Sequence, residues 1–291
     1  MWPASWDDRC VTAHPLRLPD GPIDLADFPT DAKPGFDGKK SEGKATLSAL
    51  GDELADLQER LWAEGRAAGS RRRVLLVLQG MDTSGKGGTL RHTVGLVDPQ
   101  GVRITSFKAP SEEELAHDFL WRIRRAVPAP GYIGVFDRSH YEDVLIARVN
   151  ELAGPEEIDR RYDAINEFER ELVEDGTVVL KCMLHVSKEE QRARLLARLD
   201  NPDKHWKYEP GDIDSRLRWD DYQAAYALAL ARTNTEHAPW YVVPSDRKWF
   251  RNLAVGQLLL GALRDLDPQW PEADFDVDAE RARLLATDAS T

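Results

Sequence analysis

Residues 80–89 of the chain read Gly-Met-Asp-Thr-Ser-Gly-Lys-Gly-Gly-Thr, and the first seven fit the Gly-x-x-x-x-Gly-Lys pattern of a phosphate-binding loop. In such a loop the backbone N–H groups converge on phosphate oxygens, and Lys86 brings a positive charge to the group that is transferred. The loop residues expected to contact phosphate are Gly80, Thr83, Ser84, Gly85, Gly87 and Gly88. This spacing indicates phosphoryl-transfer chemistry.

The residue after Lys86 departs from the usual pattern. Nucleoside triphosphatases carry Ser or Thr at this position, and its hydroxyl binds Mg²⁺, whereas this chain has Gly87. A carboxylate beside a phosphate is repelled unless a cation lies between them, so Asp82 is the candidate replacement ligand for magnesium. The alternative is that Asp82 only caps the helix that follows the loop.

A second carboxylate follows another predicted strand. The run Tyr132-Ile-Gly-Val-Phe136 is apolar with a β-branched and aromatic bias, and Asp137 comes directly after it, where a Walker-B acid stands. In open α/β sheets, ligands bind beyond the carboxyl ends of the strands, which is where both Asp82 and Asp137 are expected. The two carboxylates together favour a magnesium site at this edge.

Positive charge is concentrated in one stretch of an acidic chain. The net charge of −12 argues against general nucleic-acid binding, but Lys188 to Lys207 is rich in Lys and Arg. Arg194 and Arg198 have the i,i+4 spacing of one helix face, and Lys204 lies in the loop that follows. The alternative for any such cluster is a solvated helix face. Because the other motifs predict a phosphate site, we interpret this stretch as part of a basic lid that closes over phosphates.

The elements that must position these residues alternate along the chain. Apolar runs predict strands at 74–78, 102–107, 132–137, 177–186 and 240–243, and helical periodicity predicts helices at 156–174, 213–234 and 249–266. Alternation of this kind predicts a P-loop kinase-like three-layer α/β/α sandwich with a five-stranded parallel sheet. We divide the chain into three segments: an irregular N-terminal arm over 1–45, a kinase domain over 46–272 with a helical lid at about 188–235, and a C-terminal tail over 273–291. The arm either wraps the domain or mediates association.

Composition excludes several classes of protein. No apolar stretch has the length of a membrane span, and the first residues lack the basic flank and apolar core of a secretion signal. The two cysteines, Cys10 and Cys182, have no metal-ligand spacing, and Cys182 lies in an apolar run typical of a buried thiol. A cytoplasmic protein without membrane or nucleic-acid partners is expected.

Five motifs, in order along the chain, resemble the polyphosphate kinase 2 family. They are the loop Gly80–Thr89, Phe107-Lys-Ala-Pro110, His117-Asp-Phe-Leu-Trp-Arg122, Phe136-Asp-Arg-Ser-His-Tyr-Glu-Asp-Val144 and Asn201-Pro-Asp-Lys-His-Trp-Lys207. The resemblance covers about residues 35–272. It implies a P-loop kinase that moves phosphate between inorganic polyphosphate and nucleoside mono- or diphosphates with Mg²⁺, for which Mn²⁺ can substitute.

The resemblance also implies roles for single residues. Asp82 and Asp137 would hold magnesium, Lys86 would bind the transferring phosphate, and Arg138 would contact phosphates with the lid. The further phosphate contacts would be Lys108, Arg122, Arg194, Arg198, Lys204 and Lys207. Residues 137–143 look like the class III branch of the family, which accepts AMP as well as ADP.

Two other functions and the assembly state remain open at this point. An ATP-dependent P-loop kinase for another small acceptor is one alternative, and a nucleotide- or polyphosphate-binding regulator without catalysis is the other. Joint retention of Asp82, Lys86 and Asp137 argues against the regulator. Apolar helices and the N-terminal arm favour a homo-oligomer, either a dimer or a tetramer.

Overall fold

A parallel five-stranded sheet forms the centre of the computed structural model, which describes residues 14–67 and 69–288. The strands are β1 (Arg73–Gln79), β2 (Val102–Ser106), β3 (Ile133–Asp137), β4 (Thr177–His185) and β5 (Trp240–Pro244). They pair in the order β2-β3-β1-β4-β5, and every pairing is parallel. The predicted five-stranded parallel sheet is confirmed, with the loop-bearing strand β1 at its middle.

Helices cover both faces of this sheet. In chain order they are α1 (Lys40–Ala49), α2 (Gly51–Arg66), α3 (Lys86–His92), α4 (Glu112–Leu115), α5 (Trp121–Ala126), α6 (Glu142–Val149), α7 (Pro155–Glu174), α8 (Lys188–Leu199), α9 (Gly211–Leu217), α10 (Trp219–Thr233), α11 (Lys248–Leu266) and α12 (Val277–Asp288). Leu75 and Val77 of β1 pack toward α5, α6, α7 and α10, whereas Leu76 and Leu78 pack toward α2 and α11. Because successive strand residues point to opposite faces, β1 is buried on both sides and the fold has three layers.

The strand register brings the predicted site residues to one edge. Leu78 of β1 lies opposite Asp137 of β3, and Asp137 lies opposite Ser106 of β2. The loop between β1 and α3 leaves the sheet at the same edge. The fold therefore places the phosphate loop and the end of β3 side by side.

The described part of the N-terminal arm wraps the domain. Leu18 donates its backbone N–H to the carbonyl of Trp240 (2.8 Å), and Val242 donates to the carbonyl of Leu16 (3.0 Å). Residues 1–13 of the predicted arm, with Cys10, lie outside the described residues. The first helix begins at Lys40, before the boundary predicted at residue 46, because residues 40–45 already belong to α1.

The predicted lid is shorter than expected. The helix predicted over 213–234 is two helices, α9 and α10, which are separated at Arg218 (φ −99°, ψ 28°). Ala225, Tyr226 and Ala229 of α10 are buried, and α10 packs against α6 and α7, so α10 is part of the body. We therefore limit the predicted lid to residues 188–217.

The C-terminal segment also differs from a simple tail, because it contains the exposed helix α12. Residues 289–291 of the predicted tail lie outside the described residues. In the part of the chain that the structure covers, no helix combines the length and the apolar character that a membrane crossing requires.

Candidate active site

Residues 80–85 form a tight loop that accepts only glycine at two positions. Gly80 and Gly85 have φ values of 149° and 116°, which L side chains rarely adopt. A Cβ at Gly80 would lie 2.6 Å from the carbonyl oxygen of Leu184, and a Cβ at Gly85 would overlap the guanidinium of Arg251. The glycine spacing that identified the loop is thus required by its backbone and by the groups packed behind it.

Lys86 and Gly87 follow the loop at the start of α3. The Nζ of Lys86 donates to the carbonyl oxygen of Gly80 (2.8 Å), so the ammonium closes the loop on itself. Gly87 is exposed, and a Cβ there would have no heavy atom within 4 Å. A Ser or Thr side chain would fit at position 87, so lack of space does not explain why the Walker hydroxyl is absent.

Two buried arginines support the loop from behind. Arg194 of α8 donates to the carbonyl oxygens of Thr83 (2.8 Å) and Ser84 (3.0 Å). Arg251 of α11 also donates to the carbonyl oxygen of Ser84 (3.1 Å) and donates twice to the side-chain oxygen of Asn252. Only 8% of Arg194 and 3% of Arg251 is exposed. These bonds fix the backbone of the loop against α8 and α11.

The position of Arg194 differs from its predicted role. We expected Arg194 to contact polyphosphate or nucleotide from the lid, but its donors bind loop carbonyls and the carboxylate of Glu190 (2.8 Å). The i,i+4 spacing with Arg198 predicted a common helix face correctly. It could not show that the Arg194 end of this face packs on the phosphate loop.

Positive charge accumulates behind the loop, where Glu190 pairs with Arg194 and also faces Lys248. Burial lowers the pKa of Arg251, and the nearby charge of Arg194 lowers it further. Burial and Arg194 also lower the pKa of Lys248, and Lys204 of the lid acts in the same direction. Among the described residues, Arg251 has no carboxylate in its hydrogen bonds or ion pairs. Cations crowded in this way favour a bound anion.

Asp82 and Arg138 form an ion pair at the mouth of the loop. The Nη2 of Arg138 donates to Oδ1 of Asp82 at 2.8 Å. Arg138 has a φ of 62°, an uncommon conformation for a non-glycine residue. Burial alone would lower the pKa of Arg138, but the carboxylates of Glu142 and Asp82 raise it above its ordinary value. Asp137, the half-buried last residue of β3, directly precedes Arg138.

The carboxylates at this edge fit magnesium only together with a phosphate ligand. Among the described residues, no group of three or more His, Cys, Asp or Glu side chains lies close enough to hold a metal ion. Mg²⁺, however, is usually held by one or two carboxylates, with phosphate oxygens and water completing the shell. Asp82 binds Arg138 through Oδ1 alone, and its Oδ2 accepts no hydrogen bond from a described residue. As oxygen donors, Asp82 and Asp137 fit the expected magnesium ion when phosphate oxygens and water complete its shell.

A cavity of about 270 Å³ opens beside the loop. Its lining comes from the loop, α6, α9 and α10, and includes Gly80, Met81, Asp82, Arg138, Glu142, Ile146, Glu209, Gly211, Asp212, Ser215, Tyr222 and Tyr226. Glu142 is half-buried; burial raises its pKa, while the charges of Arg138 and Lys86 oppose the rise. Gln79, the last residue of β1, donates to Oε1 of Glu142 (3.0 Å).

Neither Gln79 nor Glu142 was among the predicted site residues. A polar residue ending the apolar run before Gly80 was the available signal for Gln79. Glu142 lay in the charged run after Asp137. Tyr222 and Tyr226 carried no local signal, because α10 reaches the cavity only through the tertiary fold.

A larger groove of about 820 Å³ is lined by residues of α1, α3 and α11. Its lining includes Lys40, Lys44, Leu47, Ser48, Gly88, His92, Leu96, Asp246, Arg247, Lys248, Trp249, Arg251 and Asn252. Asp246 is the only carboxylate among these residues, and it already accepts from Thr30 Oγ1 (2.7 Å) and the backbone N–H of Ser187 (2.9 Å). We call this surface the basic groove. It begins at the phosphate loop, because its lining includes Gly88 of the loop motif and Arg251, which donates to the Ser84 carbonyl.

The lid cations lie near this groove. Arg198 donates to the carbonyl oxygen of Lys207 (2.8 Å) and to Asp212 (3.2 Å), so it fixes the lid turn. Lys204 and Lys207 are exposed on the 3-10 segment Pro202–Lys207. The effect of Lys204 on Lys248 places the lid turn within electrostatic reach of the basic groove.

Lys108 and Arg122 lie together but away from the loop cavity. Arg122 donates to the carbonyl oxygen of Lys108 (2.9 Å) and lies 3.6 Å from the carboxylates of both Glu114 and Asp143. Both residues line a separate groove of about 460 Å³ at the edge of β2. Their predicted phosphate contacts stay predictions.

Comparisons with known proteins agree with this geometry. The family model described as polyphosphate kinase 2 matches residues 37–271. The AMP/ADP-polyphosphate phosphotransferase of Meiothermus ruber is 46% identical over 88% of this chain and 94% of its own length. The ADP-polyphosphate phosphotransferase of Rhodopseudomonas palustris is 40% identical over 90% of this chain and 92% of its own length.

A solved structure gives the same result. The crystal structure of polyphosphate kinase 2 from Arthrobacter aurescens TC1 is 55% identical in sequence and covers 93% of this chain and 95% of its own, with a TM-score of 0.90. The sequence matches extend over the phosphate loop, the end of β3 and the lid. The chain belongs to the polyphosphate kinase 2 family.

Proposed function

We propose that this protein transfers a phosphoryl group between inorganic polyphosphate and nucleoside mono- or diphosphates, with AMP and ADP as acceptors. The observation that carries the proposal is the basic groove. A kinase that uses ATP needs room for a base and a ribose beyond the loop, whereas polyphosphate is anionic along its whole length. The groove offers Lys40, Lys44, Arg247 and Lys248 as exposed cations that continue from the loop.

The tryptophan in this groove does not alter the choice of donor. Trp249 packs edge-on against Phe36, with ring centroids 5.6 Å apart, and it also lies against Gly43. It is therefore part of the packing between α1 and α11. The charge of the groove supports polyphosphate rather than a nucleobase as the group beyond the loop.

The acceptor is assigned to the cavity of about 270 Å³ beside the loop. Arg138 in its lining supplies positive charge for the acceptor phosphates, and Tyr222 and Tyr226 supply aromatic surface for a nucleoside. Lys86 adds positive charge, because it lies close enough to act on Glu142 of the same lining. The relative from Meiothermus ruber is named for both AMP and ADP. Together with the class III pattern at residues 137–143, this supports acceptance of both nucleotides.

In this function, the residues of the chain mainly position and neutralise charge. Asp82 and Asp137 would hold Mg²⁺, or Mn²⁺ in its place, and the ion when bound would neutralise charge on the phosphates. Lys86 and Arg138 would exchange their present partners, the Gly80 carbonyl and Asp82, for phosphate oxygens. The lid excludes water, so the phosphoryl group reaches the nucleotide rather than being hydrolysed.

The test is a donor comparison with a matched inactive variant. With Mg²⁺ present, long-chain polyphosphate should convert AMP to ADP and ADP to ATP, and Lys86→Ala should abolish both reactions. Transfer from ATP to an unrelated acceptor, with no turnover of polyphosphate, would contradict the proposal. Nucleotide binding without any transfer would favour the regulator instead.

The assembly state and cellular location are part of the same proposal. We expect a homodimer or homotetramer that acts in the cytoplasm, where nucleotide acceptors are available. The edge strand β2 exposes Ile104, half of whose surface is accessible (51%), which supports a surface for association. Light scattering coupled to size-exclusion chromatography would measure the mass, and a monomer at micromolar concentration would contradict the oligomer.

A further inference from the structure

A buried ion pair lies behind the active-site edge of the sheet. The Nζ of Lys181, in the middle of β4, donates to Oε2 of Glu169 on α7 at 2.6 Å, and both side chains are fully buried. Lys181 also donates to the carbonyl oxygen of Thr233 (2.7 Å) and to the hydroxyl of Tyr141 (3.0 Å). Burial alone would raise the pKa of Glu169, but Lys181 and His140 hold it below its usual value.

Such a pair is a poor source of stability. Removing two charges from water costs more than many buried pairs regain, and apolar replacements are often equally stable. The fully buried pair is therefore better explained by its effect on the local conformation than by its effect on stability. The contacts of Glu169 show which conformation this is.

Glu169 holds the turn between β3 and α6. Its Oε1 accepts from the hydroxyl of Tyr141 (2.7 Å) and lies 3.2 Å from Nε2 of His140. Nδ1 of His140 has no hydrogen-bond partner among the described residues, so Nε2 carries the proton and donates to the carboxylate. Ser139, His140 and Tyr141 are all fully buried. Three consecutive residues are thus anchored, two of them directly by one carboxylate.

This anchor adjoins one of the two site residues with a left-handed backbone, Arg138; the other is Thr83 of the loop (φ 64°). Arg138 directly precedes the three buried residues and has a φ of 62°. A non-glycine residue keeps such a conformation only when its surroundings impose it. On the strand side, the backbone N–H of Arg138 donates to the carbonyl oxygen of Leu78 (3.1 Å). On the helix side, the constraint comes from the bonds of Glu169 and Lys181.

We propose that Glu169 and Lys181 are positioning residues for the transfer reaction, which hold the turn so that the Arg138 guanidinium faces Asp82 and the incoming phosphates. Neither residue touches substrate. The inference rests on the proposed function for its kinetic readout, but it also makes a prediction about nucleotide binding. The alternative is that the pair contributes to folding alone.

A double-mutant cycle separates the two roles. Glu169→Gln keeps the shape of the side chain, but its single acceptor oxygen cannot serve Lys181, Tyr141 and His140 together. We expect kcat to fall at least tenfold in the wild-type background and less than twofold in the Arg138→Ala background, because the effect passes through Arg138. Equal losses in the two backgrounds would overturn the proposal.

A matched control removes the effect of stability. Arg73 is also a buried ion-pair residue of the sheet, but it binds Asp175 and Thr177 at the amino end of β1, away from the loop. Arg73→Met should lower the unfolding temperature without changing kcat, when both variants are assayed well below their transitions. A loss of kcat in Arg73→Met as large as that in Glu169→Gln would show a folding role only.

Two further measurements keep the outcome decisive. If Glu169→Gln does not fold, the apolar double variant Glu169→Leu, Lys181→Met takes its place in the same cycle. The dissociation constant of ADP, measured by calorimetry, is compared across the cycle as well. It should rise with the substitution at Glu169 only when Arg138 is present. Failure of the wild type to use polyphosphate would contradict the proposed function. The ADP dissociation constants, compared across the double-mutant cycle, would still test the positioning role.

Discussion

Substitution of Gly85 by alanine should disable the phosphate loop while a neighbouring glycine remains replaceable. A Cβ at Gly85 meets two obstacles: the φ of 116°, and overlap with the guanidinium of Arg251. The backbone conformation costs about 1–3 kcal/mol for a non-glycine residue. Displacing Arg251 removes its bond to the Ser84 carbonyl, which costs about 1.5–3 kcal/mol as a hydrogen bond to a charged group.

In the Gly85→Ala variant, the loop either keeps its active conformation at this free-energy cost or adopts another conformation. The two contributions together give roughly 2.5–6 kcal/mol. Since about 1.4 kcal/mol corresponds to a tenfold change in rate, loss of even the lower amount from the active conformation slows transfer by at least about fiftyfold. The rate of ATP formation from ADP and polyphosphate, followed by luminescence, measures this loss.

Gly87→Ala is the matched control from the same loop and helix. Gly87 is exposed and helical, and a Cβ there contacts nothing within 4 Å. Alanine in a helix is favoured over glycine by about 0.5–1 kcal/mol, so the unfolding temperature should stay constant or rise. We expect transfer within about threefold of wild type, which is less than 1 kcal/mol. A wild-type rate for Gly85→Ala, or equal losses for both variants, would refute the reasoning.

Other substitutions test the remaining parts of the site. Lys86→Ala and Asp82→Asn should each lower kcat by several orders of magnitude with little change in the unfolding temperature; a loss below tenfold would contradict their roles. Lys44→Glu and Lys248→Glu should each raise the KM of long-chain polyphosphate severalfold and leave the KM of ADP within twofold. They should also weaken the salt dependence of polyphosphate binding, because fewer cations then contact the polyanion. Equal changes in the two KM values would contradict the assignment of the basic groove to the donor. Burial raises the pKa of Cys182 to about 12, so iodoacetamide at pH 8 should label this thiol only after unfolding, as peptide mass spectrometry can verify.

The elements with strong local signals could be predicted from the sequence. The apolar run from Val74 to Leu78 is buried on both faces of the sheet, so its composition alone indicated a central parallel strand. The glycine-rich loop could also be predicted, because its backbone conformation restricts which residues can occupy it. Asp137 was placed by the same logic, since it ends an apolar strand beside β1.

The remaining parts depend on contacts between distant segments. The basic groove joins Lys40 and Lys44 of α1 to Lys248 of α11, about two hundred residues later, and no local pattern links them. Periodicity showed that Arg194 and Arg198 share a helix face, but only packing revealed that Arg194 lies against the loop. The break at Arg218 was missed for a related reason: α9 belongs to the lid and α10 to the core, although the sequence through both is helical.

Donor competition is the measurement that tests the central claim most directly. The purified chain is supplied with Mg²⁺, AMP or ADP, and either long-chain polyphosphate or ATP, and the nucleotides formed are separated by chromatography. We predict that polyphosphate yields ADP from AMP and ATP from ADP, and that Lys248→Glu slows both reactions at low polyphosphate concentration. Transfer from ATP to AMP, with no nucleotide phosphorylated by polyphosphate, would contradict the account.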